Sequence, residues 1–137
     1  MIIDATNLIL GRFATVVAKK SLQGEQIDIV NCEKAVIVGK KEKVLAKYRN
    51  TRERGAPLVG PYFPRMTDRF VRRTIRGMIP YKQPKGKEAF KRIMCYKGTP
   101  IDLQNKKIET IKEANVSRLS HTKYLTVETI CKFLGGK

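Results

Sequence analysis

The chain has 137 residues, 42% of them hydrophobic, and a formal net charge of +17 at pH 7. This length predicts a single domain over residues 1–137, and the hydrophobic fraction supports a modest core, which excludes a purely disordered basic tail. No apolar run approaches the roughly 20 residues that cross a bilayer, and the N-terminus lacks the basic and apolar regions of a signal peptide. We therefore expect a cytoplasmic protein without a membrane partner.

Most of the excess charge lies in one segment, residues 40–97, which holds eighteen Lys and Arg residues against four Asp and Glu residues. Residues 1–39, in contrast, hold four charges of each sign. A segment this cationic repels itself unless a polyanion neutralises it. Nucleic acid, bound chiefly through its phosphates, is the commonest such polyanion. We therefore interpret residues 40–97 as a basic segment that binds nucleic acid.

The N-terminal part of the chain predicts an α/β fold. A short apolar strand is expected over residues 2–5, a helix over 11–23 that Gly24 ends, and a second strand over 26–31. These three elements would form a βαβ unit with a right-handed crossover. The continuous apolar run at residues 35–38 is typical of a strand buried on both faces.

The basic segment begins with a predicted helix over residues 40–54, whose charges are spread around all sides. Residues 55–64 contain three prolines and two glycines, which forbids a regular element and predicts a long extended loop. Loops of that length within compact domains are usually functional or disordered.

A helix with two distinct faces is predicted next, over residues 67–76, with Thr67 and Asp68 as N-cap residues. At 100° per residue, four arginines fall within roughly a 100° arc, and the apolar residues lie on the other side. The arginine stripe consists of Arg69, Arg72, Arg73 and Arg76, and the apolar stripe of Phe70, Val71, Thr74, Ile75 and Met78.

The remaining elements are less regular. A turn is predicted at residues 84–86, a short helix over 87–92 and a fourth strand over 93–97. Residues 99–107 are expected to form a loop. A terminal helix is predicted over 126–134, because its apolar residues recur at helical spacing and two glycines follow it.

No motif of an enzyme or of a metal or cofactor site is present. The Gly-Lys pairs lack the glycine five residues earlier that a phosphate-binding P-loop needs, and no serine or cysteine stands in a nucleophile-elbow pattern. Cys32, Cys95 and Cys131 are far apart, which favours small buried hydrophobes over zinc ligands. His121 is interpreted as a surface histidine or one whose hydrogen bonds are satisfied, in preference to a catalytic one. We expect no cofactor, no metal and no small-molecule substrate.

The basic segment is rich in arginine. Lysine would be equally suitable if these charges only kept the surface soluble. Residues 49–76 contain eight arginines and no lysine. The planar guanidinium pairs bidentately with phosphate and stacks on bases, whereas the alternative interpretation is a solvated charged face. Tyr62 and Phe63, in the proline-rich loop, are candidates for stacking on unpaired bases. The irregular loop and lone arginine helix favour RNA over a DNA reader of the helix-turn-helix class.

The candidate RNA-binding residues are therefore basic side chains of this segment, the two loop aromatics and one arginine at the start of the first helix. They are Arg12, Lys40, Lys41, Lys47, Arg49, Arg52, Arg54, Tyr62, Phe63, Arg65, Arg69, Arg72, Arg73, Arg76, Lys82, Lys85 and Lys87. In Leu10-Gly11-Arg12, the backbone N–H groups at the helix start could also hold a phosphate, although a glycine needed for packing explains this motif equally well.

Several motifs resemble one known family. They are Asp4-Ala5, Leu10-Gly11-Arg12, Val30-Asn31, Gly39-Lys40-Lys41 with Lys47-Tyr48, Val71-Arg72-Arg73-Thr74-Ile75-Arg76-Gly77-Met78-Ile79-Pro80, Lys82, and Tyr96 with Gly98. In this order they resemble the universal large-subunit ribosomal protein thirteen family in its archaeal and eukaryotic form. Thr99-Pro100 stands where the bacterial branch has a His-Pro-His element. Residues 101–137 carry little that matches.

The resemblance implies a three-layer α/β/α fold with a central, mainly parallel four-stranded sheet, together with a basic loop and helical extensions. It also implies a structural constituent of the large ribosomal subunit in the cytoplasm. Such a protein would bind large-subunit rRNA, contact neighbouring ribosomal proteins and support subunit assembly. Two alternatives stay open from the residues alone. One is a free-standing RNA- or DNA-binding factor, and the other is a small enzyme acting on RNA near Asp4 and Gly39.

Overall fold

The computed structural model describes residues 1–136, so Lys137, the last residue of the predicted domain, lies outside the described residues. Within this range the strands are β1 (Ile2–Asp4), β2 (Ile27–Val30), β3 (Val36–Val38), β4 (Ile93–Cys95), β5 (Ile108–Glu109) and β6 (Tyr124–Thr126). The helices are α1 (Leu10–Leu22), α2 (Lys41–Glu53), α3 (Thr67–Arg76), α4 (Pro84–Lys91), α5 (Ile101–Gln104) and α6 (Val127–Phe133).

Four strands form one parallel sheet in the order β4-β2-β1-β5. The central strand β1 places Ile3 opposite Ile29 of β2 on one side and opposite Glu109 of β5 on the other. Helix α1 connects β1 to β2, which is the predicted βαβ unit. The predicted α/β class with a central parallel four-stranded sheet is therefore confirmed.

The helices cover the two faces of this sheet unequally. Successive strand residues point to opposite faces. Ile3 and Ile29 belong to the main core, which also contains buried residues of α1, α3, α4 and α6. Ile2 and Val30 face the other way and pack with Leu103 of α5 in a much smaller cluster. The result is a three-layer arrangement with one thick and one thin helical layer.

Strand β3 lies outside the parallel sheet, and the prediction that it is buried on both faces is wrong. Asn31 adopts a left-handed backbone with φ of 54°, and one 3₁₀ turn over Cys32–Lys34 follows it, so the chain leaves the sheet at this point. Strand β3 then pairs antiparallel with β6. Val36 is buried, whereas Ile37 and Val38 are only half-buried.

The C-terminal part of the chain is integrated into the fold. The prediction of a loop over residues 99–107 is wrong where α5 forms, and β5 then adds an edge strand to the parallel sheet. The predicted terminal helix is confirmed as α6, and the Thr126 hydroxyl accepts a hydrogen bond from the Thr129 amide at 3.3 Å. Ile130 and Leu134 are 0% and 1% exposed, so this helix completes the main core.

Two helix starts in the basic segment differ from the prediction. Helix α3 begins at Thr67 after an N-cap at Met66, so capping by Thr67 and Asp68 is wrong. Among the described residues, the buried Thr67 hydroxyl finds no hydrogen-bond partner. Helix α4 begins at Pro84, where a turn was expected, because proline suits the first turn of a helix. The predicted basic helix is confirmed as α2, and the fourth strand as the shorter β4.

Candidate nucleic-acid interface

The stripe of arginines on α3 lines an open groove of about 500 Å³, which we call the arginine groove. The apolar stripe of the same helix is buried at Phe70, Val71 and Ile75. The arginines lie on its other side, where Arg69 is exposed and the other three are half-buried. The groove is lined by Tyr62, Phe63, Pro64, Arg65, Met66, Arg69, Arg72, Arg73, Arg76 and Phe90. None of these lining residues, within the described part of the chain, is acidic. The groove therefore combines five guanidinium groups with an apolar floor.

Three of these arginines lie over aromatic rings. The guanidinium carbon of Arg72 is 4.4 Å from the centre of the Phe90 ring. The guanidinium of Arg76 is 4.9 Å from the Tyr81 ring. Such cation–π contacts contribute about 0.5–1 kcal/mol each at exposed sites. They also restrict the long side chains before any ligand arrives, which lowers the entropy cost of binding an anion.

Arg73 is held by a cation–π contact and by a hydrogen bond. Its guanidinium lies 5.4 Å from the Phe63 ring centre, and one of its nitrogens donates to the Tyr62 carbonyl at 3.0 Å. The guanidinium is thus anchored to the proline-rich loop, which joins this loop to α3. The remaining N–H groups of Arg73 are free to bind an acceptor, because a guanidinium has five donors.

The two loop aromatics have different surroundings. Phe63 packs against Tyr48 of α2 and Phe70 of α3, with ring centres 5.9 and 5.6 Å away, and burial raises the pKa of the Tyr48 hydroxyl. Tyr62, in contrast, is 68% exposed. Stacking on a base stays a prediction for both rings. The geometry favours it for Tyr62 and gives Phe63 a packing role.

A second cavity, of about 480 Å³, adjoins the arginine groove and shares Tyr62, Phe63 and Arg65 with it. Its other lining residues include Arg52 and Arg54, which come from the end of α2. The structure thus brings together nine of the predicted residues in two adjoining cavities. They are Arg52, Arg54, Tyr62, Phe63, Arg65, Arg69, Arg72, Arg73 and Arg76.

The other predicted residues lie elsewhere on the surface. Lys40 and Lys41 line a cavity beside Lys123 and Tyr124, and Arg12 lines one beside Ile111 and Glu113. Arg49 lies over the Phe133 ring at 5.0 Å. Lys47, Lys82, Lys85 and Lys87 are exposed on or near α2 and α4. These eight side chains extend the basic surface but do not join the two adjoining cavities.

The positive charge of the basic segment is largely unneutralised by the protein itself. Among residues 1–136, ion pairs join Arg92 to Glu88, Lys107 to Glu109 and Lys132 to Glu128. Only Arg92 and Glu88 belong to residues 40–97, and their atoms are 3.8 Å apart. Exposed pairs of this kind neutralise little of the charge. Almost all of the positive potential of the segment is therefore available to attract an external anion.

Sequence reasoning missed the aromatic partners of the arginines and the close backbone contacts that position them. Phe90 lies on α4 and Tyr81 in the turn that follows α3, and no helical spacing links them to Arg72 and Arg76. Gly86 of α4 packs against the Pro80 carbonyl so closely that a methyl group there would collide with it. Gly136 packs in the same way against the carbonyl of Arg65.

The alternative site near Asp4 and Gly39 is not assembled in the structure. Asp4 ends β1 of the parallel sheet, whereas Gly39 follows β3 of the separate two-stranded sheet. One Asp4 oxygen accepts hydrogen bonds from the Thr6 amide at 3.0 Å, the Thr6 hydroxyl at 2.7 Å and the Asn31 side chain at 3.0 Å. Burial opposes ionisation of Asp4, but these hydrogen bonds outweigh it and lower its pKa. This carboxylate is therefore occupied in joining the ends of β1 and β2.

The described part of the chain contains neither a metal-binding cluster nor a membrane-spanning helix. Residues 1–136 hold no group of three or more His, Cys, Asp or Glu side chains placed to bind a metal ion. No helix in the same range has the length and apolarity needed to cross a bilayer. All three cysteines are buried and free.

Comparison with known proteins identifies the family. The family model described as Ribosomal protein L13 matches residues 1–102. The protein named large ribosomal subunit protein uL13 from Methanosarcina barkeri is 47% identical over 137 residues, covering 99% of this chain and 98% of its own length. Proteins of the same name from Methanocaldococcus jannaschii and Methanococcoides burtonii are 46% and 44% identical, with 99% of this chain and 98% of their own lengths covered. This chain belongs to the ribosomal protein L13 family.

Proposed function

We propose that this chain is a structural constituent of the large ribosomal subunit that binds rRNA through the arginine groove and supports subunit assembly. The observation that carries the proposal is the set of five guanidinium groups in one groove without a lining carboxylate among the described residues. Members of the ribosomal protein L13 family are structural components of the ribosome rather than enzymes, so the RNA-directed enzyme is rejected. The partners are large-subunit rRNA and neighbouring ribosomal proteins, and the location is the cytoplasm.

The chemistry of the groove suits ribose-phosphate strands. Each guanidinium can bind one phosphate through two parallel hydrogen bonds. The rings beneath Arg72, Arg73 and Arg76 hold these groups in place. The apolar floor, which includes Met66, offers contact surface for riboses and base faces, as single-stranded RNA sites do. The eight other predicted basic residues would neutralise phosphates farther from the groove; they are Arg12, Lys40, Lys41, Lys47, Arg49, Lys82, Lys85 and Lys87.

A salt titration tests the proposal. Purified protein is titrated with large-subunit rRNA between 50 and 200 mM salt. If six to ten phosphates are contacted, affinity falls by about 10³–10⁵ across this range by the duplex-DNA rule, and by somewhat less for irregular RNA. Affinity that does not change with salt would contradict the proposal.

Charge removal at two places on the surface localises the contact. Replacing Arg65, Arg69 and Arg73 by Gln removes three charges from the groove, so the salt slope should become less steep by roughly two units. The matched control replaces Lys19, Lys106 and Lys107 by Gln, which removes the same charge outside residues 40–97. The slope of the control should stay close to that of the unmodified protein. Equal slopes for both triple variants would show that the groove is not the binding site.

A sucrose gradient of cell extract distinguishes a ribosomal constituent from a free-standing RNA- or DNA-binding factor. We expect the protein to sediment with the large subunit and to be absent from the top of the gradient. Sedimentation as free protein would favour the alternative.

A further inference from the structure

The tip of the proline-rich loop carries two exposed aliphatic side chains. Leu58 is 92% exposed and Val59 is 83% exposed, more than any other large hydrophobic residue in the described chain. They are adjacent in sequence and stand within the most cationic part of the molecule. Their exposure needs an explanation, because leaving apolar side chains of this size in contact with water is unfavourable in free energy.

The tip is a closed turn with a defined backbone. The amides of Val59 and Gly60 both donate to the Ala56 carbonyl, at 3.2 and 2.9 Å. The Tyr62 hydroxyl donates to the Pro57 carbonyl at 3.4 Å. Gly55 approaches Gly60 so closely that a methyl group on Gly55 would collide with the Gly60 carbonyl oxygen. The turn thus presents its two apolar side chains on a preformed support.

Three arginines surround the base of this turn. Arg52, Arg54 and Arg65 line the cavity beside it, and Glu53 is the one acidic residue there among those described. An apolar protein partner would be repelled by none of these charges but would leave three guanidinium groups desolvated and unpaired, which is costly. RNA satisfies both requirements, because its phosphates pair with arginine and its base faces are apolar.

We propose that Leu58 and Val59 form an apolar wedge that enters a bulge or loop of the rRNA, where it contacts unstacked bases. The inference rests on the proposed function, since it names the kind of RNA element that this part of the surface binds. Aliphatic side chains insert between base steps in proteins that bend nucleic acid. The deep, narrow major groove of regular A-form RNA would exclude such a turn, whereas a bulge or loop exposes base faces.

The first test separates the wedge from the phosphate contacts. Replacing Leu58 and Val59 together by Ser should weaken binding to protein-free large-subunit rRNA by at least roughly tenfold, because full burial of either aliphatic side chain alone corresponds to about that factor. The loss should be the same at every salt concentration, with an unchanged salt slope, because no charge is removed. The matched control is Ile101→Ser, since Ile101 is also 81% exposed but lies outside the basic segment. Its binding should be unchanged.

Three results overturn the wedge. They are a double variant that binds as tightly as the unmodified protein, a salt slope that changes together with affinity, and a control variant that loses as much affinity as the double variant. In each case a steep salt slope for the unmodified protein leaves the proposed function standing. A flat slope for the unmodified protein would instead remove the proposed function itself.

The second test observes the contact directly. The chain contains no tryptophan, so Leu58→Trp provides a single indole reporter at the tip. Binding of the protein-free rRNA should quench its fluorescence and protect it from acrylamide, because the indole stacks on bases. Ile101→Trp is the matched control and should remain accessible to acrylamide. Protection that appears only in the assembled subunit would assign the tip to a neighbouring protein and refute the wedge.

Discussion

Substitution of Gly86 by Ala provides a sharp test of how the interface is supported. Gly86 lies in the first turn of α4 and is buried against the Pro80–Tyr81 backbone. A methyl group at this position would collide with the carbonyl group of Pro80 and would lie 2.9 Å from the Tyr81 nitrogen. These atoms belong to the backbone, so they cannot rotate away as a side chain could. Tyr81 also supports Arg76, and the collision would therefore disturb the arginine groove.

The sign of the effect follows from two opposing magnitudes. In an open helix, Gly→Ala stabilises the protein by up to about 1 kcal/mol. Forcing an extra methyl group into a packed site costs about 1–3 kcal/mol, and a clash with fixed backbone places Gly86 near the upper end. The net expectation is a loss of about 2 kcal/mol in the free energy of unfolding. For a chain of this length, such a loss lowers Tm by roughly 5–10 °C.

Urea unfolding and thermal unfolding, both followed by circular dichroism, measure this effect. The matched control is Gly11→Ala in the first turn of α1, where no atom other than its chain neighbours and the backbone of its own helix lies within 4 Å of the added methyl group. The same chemical change should leave that variant as stable as the unmodified protein, or slightly more stable. The reasoning is refuted if Gly86→Ala matches or exceeds the stability of the unmodified protein.

The remaining predictions concern one arginine and two titrating groups. Arg73→Lys keeps the charge but loses the stacking and hydrogen-bond geometry of the guanidinium, so rRNA affinity should fall several-fold with an unchanged salt slope. The lowered pKa of Asp4 stabilises the fold above about pH 4, and this contribution is lost as the pH falls through the folded-state pKa. Asp4→Asn should therefore cost roughly 1–2 kcal/mol at pH 7, by urea unfolding, and progressively less below pH 4; a constant difference would contradict this. Burial raises the pKa of Cys131 to about 12. Alkylation of its thiol at pH 8 should therefore be roughly 10³-fold slower in folded than in urea-unfolded protein. Equal rates in the two states would contradict the raised pKa.

Local periodicity predicted the elements whose burial is decided within a few residues. The two faces of α3 are the clearest case, because Phe70, Val71 and Ile75 recur at helical spacing and are all buried. Met78 was assigned to the apolar stripe but is 41% exposed. The helix ends at Arg76, so the helical spacing no longer applies at residue 78.

Long-range pairing was beyond local patterns. The apolar run that forms β3 has the composition of a buried parallel strand, yet its partner β6 lies almost ninety residues later. Likewise, the sequence around Ile108 does not indicate a strand, because β5 is only two residues long and forms only by pairing with β1. Composition indicates that a segment is extended, but it does not indicate which strand it will meet.

The candidate site shows the same division. The arginine side chains could be named from the sequence, because their charge and residue type favour phosphate contact without reference to a fold. The aromatic rings that they contact could not be named from the sequence. Arg72 and Phe90, for example, are eighteen positions apart and meet only once α3 and α4 have packed. The sequence likewise suggested Phe63 as a ring free to stack on bases. Its packing on Tyr48 depends on the path of the loop, which no local pattern indicates.

The late position of β5, β6 and α6 in the chain bears on biosynthesis. Synthesis proceeds from the N-terminus, yet β1 acquires its second neighbour only when Ile108 has been made. The core is not closed until Ile130 and Leu134 arrive. During translation the cationic segment therefore emerges on an unfinished scaffold, and a nascent chain stalled before residue 108 should remain sensitive to protease. Stable folding, and with it the rigid display of the arginines, becomes possible only near the end of elongation.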